Sequence, residues 1–201
     1  MRLVHGVGIS DVSTCLPKKR GQRVADPKPA YLAWSGMLQR CYGKRRLARF
    51  PTYEGCSVCK SWITFSNFEK WYNKNYVSGF ALDKDLLKPH NKVYGPKTCA
   101  YVPQHINKLF NSVSRVVRKN RPHLGVVPHS GKFMAVALDT SKGYKGQISL
   151  GSFSDIAEAR GAYKSWRMLH IVGIADAALA CGSITKALHR AIVLRARRFD
   201  F

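Results

Sequence analysis

The first sustained hydrophobic period lies in PKPAYLAWSGMLQRCYG. There Tyr31, Trp34, Met37, Leu38 and Cys41 recur three or four residues apart and predict a helix. The basic stretch KRRLARFPTYEG interrupts the pattern and is expected as a loop. The period returns over about Ser61 to Asn75, where Trp62, Phe65, Phe68 and Trp71/Tyr72 make one apolar stripe. That stripe is assigned to the core, because a helix holds its place by burying such a face. Phe80 to Leu82, extending as far as Leu87, reads as a short strand. A polar loop with Pro89 and Gly95 follows, then a second strand near Cys99 to Val102 and a helix in QHINKLFNSVSRVV. Beyond Pro122 the pattern changes. HLGVVPH, KFMAVAL and GQISLGSF read as three strands joined by turns at Ser130-Gly131 and Lys142-Gly143, an antiparallel meander. SDIAEARGAYKSWRMLHIVG is a helix with Ser154 as expected N-cap, and Asp155 and Glu158 suit its positive end. Ile174 to Phe201 continues as helix and grows more basic.

The expected fold class is α+β: a ββα module with flanking helices, then a three-stranded antiparallel sheet packed on a helix. Five segments follow: a basic N-terminal arm (1–28), the ββα module (29–112), a basic linker (113–122), the sheet-plus-helix domain (123–172) and a basic helical tail (173–201).

Charge directs this fold to a class of partner. Thirty-four Lys+Arg stand against 11 Asp+Glu, a net charge of +23. Such an excess repels itself in a compact fold and becomes favourable when a polyanion supplies the opposite charge and releases its counterions. No stretch is long and apolar enough to span a bilayer, so no membrane partner is expected. The hydrophobic content of 45% suffices for a folded core. The start of the chain lacks the pattern of a secretory signal, so a cytoplasmic location with reduced thiols is expected for the six cysteines. Phosphate-tracking candidates are Lys18, Lys19 and Arg20 in the arm, Lys44, Arg45 and Arg46 in the loop, and the run from Arg115 through Arg118 and Lys119 to Arg121 in the linker.

The segment LDKDLLKPHNKVYGPKTCAYVPQHIN resembles the HNH (His-Me finger) family of metal-dependent nucleases, in the version found in phages and mobile elements. Trp34 to Tyr42 and Val58 to Phe68 extend the resemblance to about Trp34 to Phe110. It implies a ββα-metal fold in which Asp83 and Asn107 hold magnesium or another divalent cation that binds the scissile phosphate, while Asn91 orients the base or pins the loop. The family places a general-base histidine directly after the metal-binding residue, and Lys84 stands there instead. Three accounts remain open: His90 serves as base, Asp85 serves as base or second ligand, or the module binds DNA without cutting it, with Lys84 as one more cation toward phosphate. On a strand Asp83 and Asp85 would share one face by period-two spacing. The pair then either takes up a hard cation or pairs with neighbouring Lys or Arg.

Cys56 and Cys59 have the spacing of half a zinc site, with Cys99 and Cys41, His90 or His105 as candidates to complete four ligands. The alternative is buried free thiols.

From His123 to about His170, LGVVPHSGKFMAVAL and ISLGSFSDIAEARGAYKSWR resemble the plant-type APETALA/ethylene-response-factor DNA-binding domain. The resemblance implies a sheet in the major groove and a helix behind it. His129, Lys132, Lys142 and Lys145 stand where the family carries base-contacting Arg and Trp. Lysine contacts phosphate well but lacks the planar fork that arginine offers guanine.

Together these readings lead to a DNA-binding endonuclease of phage or homing type, acting on double-stranded DNA in a prokaryotic or phage-infected cell. The alternatives are a catalytically inactive DNA-binding protein on the same modules and a basic RNA- or ribosome-associated protein. The arm and the C-terminal helix are candidate contacts with a second copy or a host protein.

Overall fold

Pro29 opens the first helix, at a position where no backbone N–H is needed for helical bonding. In the computed structural model, which describes residues 3–22, 24–110, 125–138 and 146–198, the chain is α+β. It divides into two compact units, Met1–Gln104 and His105–Phe201.

In the first unit, α1 (Pro29–Tyr42) buries Trp34, Met37, Leu38 and Cys41, the stripe its period predicts. α2 (Lys44–Arg49) and a 3-10 turn (Pro51–Tyr53) occupy the stretch expected as a loop. The aromatic helix is two helices, α3 (Lys60–Ile63) and α4 (Phe65–Asn75), parted at the extended Thr64. The cause lies far upstream: Ile9 donates to Ile63 O and accepts from Phe65 N, so the arm replaces part of the helical ladder at the break.

The basic N-terminal arm is docked on this unit. Val4 and Val7 pack on its core, and a Cβ at Gly8 would stand 2.4 Å from Leu38 Cδ1. Asp11 caps α4 from 55 residues away by accepting from Ser66 N at 2.9 Å. The Ser66 bonds hold the Asp11 carboxyl below its ordinary range. Trp34 Nε1 donates to Trp62 O at 2.7 Å inside the shared aromatic core.

β2 (Phe80–Asp83) pairs antiparallel with β4 (Ala100–Pro103), and Asp83 lies opposite Ala100. A two-residue parallel pair, β1 (Ser57–Val58) with β3 (Val93–Tyr94), ties the loop between them to the first half of the unit. The chain leaves β4 directly into α5 (Gln104–Leu109); the rest of the expected helix lies outside the described residues.

The second unit carries β5 (Val126–His129), β6 (Lys132–Leu138) and β7 (Gln147–Phe153) as an antiparallel sheet in sequence order, as the three apolar runs predict. α6 (Ile156–Ala180) packs behind it, with Val126, Ala135 and Ala159 at the centre and Phe133, Leu150 and Phe153 around them. Asp155, rather than Ser154, is the N-cap: its carboxylate accepts from Ala157 N and Glu158 N. Ser154 stands one residue too early to reach those amides. α6 runs on through the expected domain end at residue 172, and α7 (Lys186–Arg198) folds back on it with Leu188, Ile192 and Ala196 buried. Arg167 donates to Leu109 O at 2.8 Å, so the end of α5 is tied into this unit.

Candidate nucleic-acid interface

The loop after β2 is built around an internal cation. Lys84 is 7% exposed, and its Nζ donates to Asp85 Oδ1 at 2.6 Å and to Asn91 O at 2.8 Å. Asn91 returns the contact: its Nδ2 donates to Lys84 O at 3.0 Å and to Val93 O at 2.6 Å. Each residue's side chain therefore holds the other's main chain, and the loop from Lys84 to Asn91 closes on itself. The Tyr94 ring, 5.8 Å from Lys84 Nζ, covers the ammonium. Asn91 thus pins the loop.

This arrangement changes the role of the acidic pair. β2 ends at Asp83, so Asp85 lies beyond the strand and does not share a face with Asp83 by strand alternation. Asp83 Oδ1 accepts from Asp85 N at 2.8 Å and from Leu86 N at 2.6 Å, turning the chain at the strand end. Asp85 pairs with Lys84. A divalent cation between the two carboxylates would meet that ammonium, so the pair does not fit a shared cation site. Lys84 itself is turned inward to Asp85 and Asn91 and is not offered to a phosphate. His90 is exposed, with a left-handed φ of 58°. Asn107 is half-buried on α5 and belongs to the second unit, whereas Asp83 belongs to the first.

Cys41, Cys56 and Cys99 are buried in the first unit's aromatic core, and Cys59 is partly buried beside them. Gly95 N donates to Cys99 Sγ at 3.4 Å, and Cys59 Sγ lies 3.3 Å from Ser61 Oγ. Burial pushes the Cys41 thiol up to about 12 and the Cys99 thiol up to about 11, so both are protonated at neutral pH and pack as small apolar groups. Among the described residues, no three His, Cys, Asp or Glu side chains stand together as a metal-holding group. His105 is exposed on α5.

The free positive charge lies elsewhere. Lys44 and Arg45 are exposed on α2, and Arg46 is partly buried there. On the sheet, register places His129, Lys132, Met134, Ser149 and Ser152 on the face opposite α6; all but Met134 are exposed. The same face carries Val127, Val136 and the exposed Leu138, so the Lys132 cation stands on a mixed face of polar and aliphatic positions. Arg115, Arg118, Lys119, Arg121, Lys142 and Lys145 lie outside the described residues. α7 exposes Lys186, Arg190, Arg197 and Arg198.

Arg49 and Phe50 were missed as candidates. The Arg46 and Arg49 guanidinium carbons lie 4.2 Å and 5.4 Å from the Phe50 ring centroid. The signal was present as arginines three residues apart ahead of an aromatic, hidden because Gly43 and Pro51 frame the stretch like a loop. No helix among the described residues is long and apolar enough to cross a membrane. Comparison with family models, curated proteins and solved structures finds no match to this chain.

Proposed function

We propose that this protein binds double-stranded DNA through its phosphate backbone and that its ββα module serves binding rather than hydrolysis. The observation that carries this reading is the contrast between its cations. Lys84, where a nuclease of the resembled family needs a base, is buried and bonded to Asp85 and Asn91. Lys44, Arg45, Lys132, Arg190 and Arg197 are exposed and make no ion pair among the described residues. Charges on ordered elements reach a polyanion at lower entropic cost than charges on a disordered tail. The sheet face opposite α6 carries His129 and Lys132 beside aliphatic positions, and a sheet of this kind enters a major groove in the APETALA/ethylene-response-factor domain it resembles. With lysine and histidine on it, the expected binding is general rather than sequence-selective. The six free thiols suit a reducing cytoplasm.

The test is a titration with duplex fragments of unrelated sequence at several salt concentrations. Dissociation constants in the micromolar range, rising steeply with salt and similar among sequences, are expected. Absence of binding at low salt refutes the reading.

A metal-dependent endonuclease is the second reading, favoured by Asp83 at the end of β2 opposite the strand that leads into α5. Plasmid incubated with magnesium or manganese decides: intact supercoils support binding alone, and nicking abolished by Asp83→Ala supports the nuclease.

A further inference from the structure

We propose that α2 and Phe50 form a phosphate clamp, an arginine pair held ready on an aromatic ring to grip the DNA backbone without reading bases. The proposal rests on the DNA-binding reading above and assigns the surface of the first unit that carries it.

α2 is poorly suited to stand on its own. Its six residues, KRRLAR, include four cations, with no acid in the first turn and no side-chain cap. Positive charge at a helix start opposes the backbone dipole, and Arg45 and Arg49 repel one another four residues apart. Six residues are also too few for helix propensity alone, and none of them is buried. What steadies the helix comes from the following turn, where Lys92 Nζ donates to Glu54 O at 3.0 Å. The segment therefore presents a charge cluster that destabilises its own helix, an arrangement relieved by a bound anion.

The side chains point to the same ligand. Arg46 and Arg49 lie over one face-rich partner, Phe50, so part of their rotamer freedom is already lost before binding. Arg46 Nε is buried without a hydrogen-bond partner. None of Lys44, Arg45, Arg46 and Arg49 makes an ion pair among the described residues. A guanidinium laid on a ring leaves its terminal N–H groups to donate to the oxygens of a phosphate. Leu47 and Phe50 are only partly exposed, so the segment offers a bilayer no large apolar side chain to insert. A row of phosphates on a duplex fits it better than a lipid surface.

The experiment measures duplex affinity against salt between about 50 and 200 mM for the full chain, for Arg46→Ala/Arg49→Ala and for Lys70→Ala/Lys74→Ala, an exposed pair on α4 with the same loss of charge. The arginine pair is expected to lower the slope of log K against log salt by about 2 and to weaken binding up to about 60-fold near 0.1 M, with little change in the lysine pair. Arg46→Lys/Arg49→Lys is expected to keep the slope and lose part of the affinity, because lysine cannot lie flat on Phe50. Equal losses from both alanine pairs reduce the effect to net charge and overturn the clamp. A wild-type slope in the arginine variant, with lost binding to phosphatidylserine vesicles, assigns the cluster to a membrane and also overturns it. Failure of the unmodified chain to bind any duplex overturns both this proposal and the DNA-binding reading; binding with an unchanged slope in the arginine variant overturns the clamp alone.

Discussion

Lys84→Met tests whether the buried ammonium is a structural cation. Methionine keeps most of the stem volume and removes the charge. Two groups are then left behind. Asn91 O, bonded at 2.8 Å, loses its donor in a buried site, and an orphaned buried carbonyl costs about 1–3 kcal/mol. Asp85, bonded at 2.6 Å, loses its cation. Breaking a fully buried ion pair costs about 3–5 kcal/mol, but the Asp85 side chain is 35% exposed and water replaces much of what it loses. The sum is about 2–3 kcal/mol. For a unit of about 100 residues that lowers Tm by about 10–20 °C. Near-UV circular dichroism follows the first unit, because Trp34, Trp62 and Trp71 report its aromatic core. Adding Asp85→Asn to Lys84→Met removes the uncompensated carboxylate and is expected to recover part of the loss. A single variant melting within about 2 °C of the parent refutes the structural role. An unchanged Tm with a salt slope for DNA smaller by about 1 would instead mean that Lys84 faces phosphate.

Two further predictions concern the packing of each unit. Gly125 has φ 73°, and a Cβ there would stand 2.0 Å from the Tyr163 ring; Gly125→Ala is expected to cost the second unit about 3 kcal/mol or more by chemical denaturation, and a loss below about 1 kcal/mol contradicts the packing. Burial raises the Cys41 and Cys99 thiols to about 12 and about 11, whereas in the unfolded chain they ionise near 9.0. Their neutral form favours the fold, so this contribution is complete below pH 9 and is lost as pH rises through the folded values. Melting between pH 8 and 11 is expected to fall along that course, with Cys41→Val flattening it; a variant as pH-sensitive as its parent contradicts the assignment.

The loop after β2 spends its charged and polar side chains on its own shape. Asp83 shapes the turn, Asp85 neutralises Lys84 and Asn91 closes the circuit, so residues suited to metal chemistry by type are occupied in holding a shape. Exposed cations on α2, the sheet and α7 remain for a polyanion.

The sequence alone determined what depends on neighbours a few residues away. Apolar residues three and four apart placed α1, and apolar runs with turn residues between them placed β5, β6 and β7, because periodicity and turn chemistry act locally. The charge excess required no fold to be read, and the expectation of a polyanionic partner rests on it. Contacts that cost loop closure were decided only by tertiary structure. Ile9 parts α3 from α4, Asp11 caps a helix 55 residues on, and the arm is docked on the first unit. The role of Lys84 belongs to the same class: a lysine between two aspartates reads as surface charge, and only the returning carbonyl of Asn91 and the cover of Tyr94 turn it inward. A local pattern states what a side chain is, and the long-range partner decides whether its charge is spent inside the fold or left for a ligand.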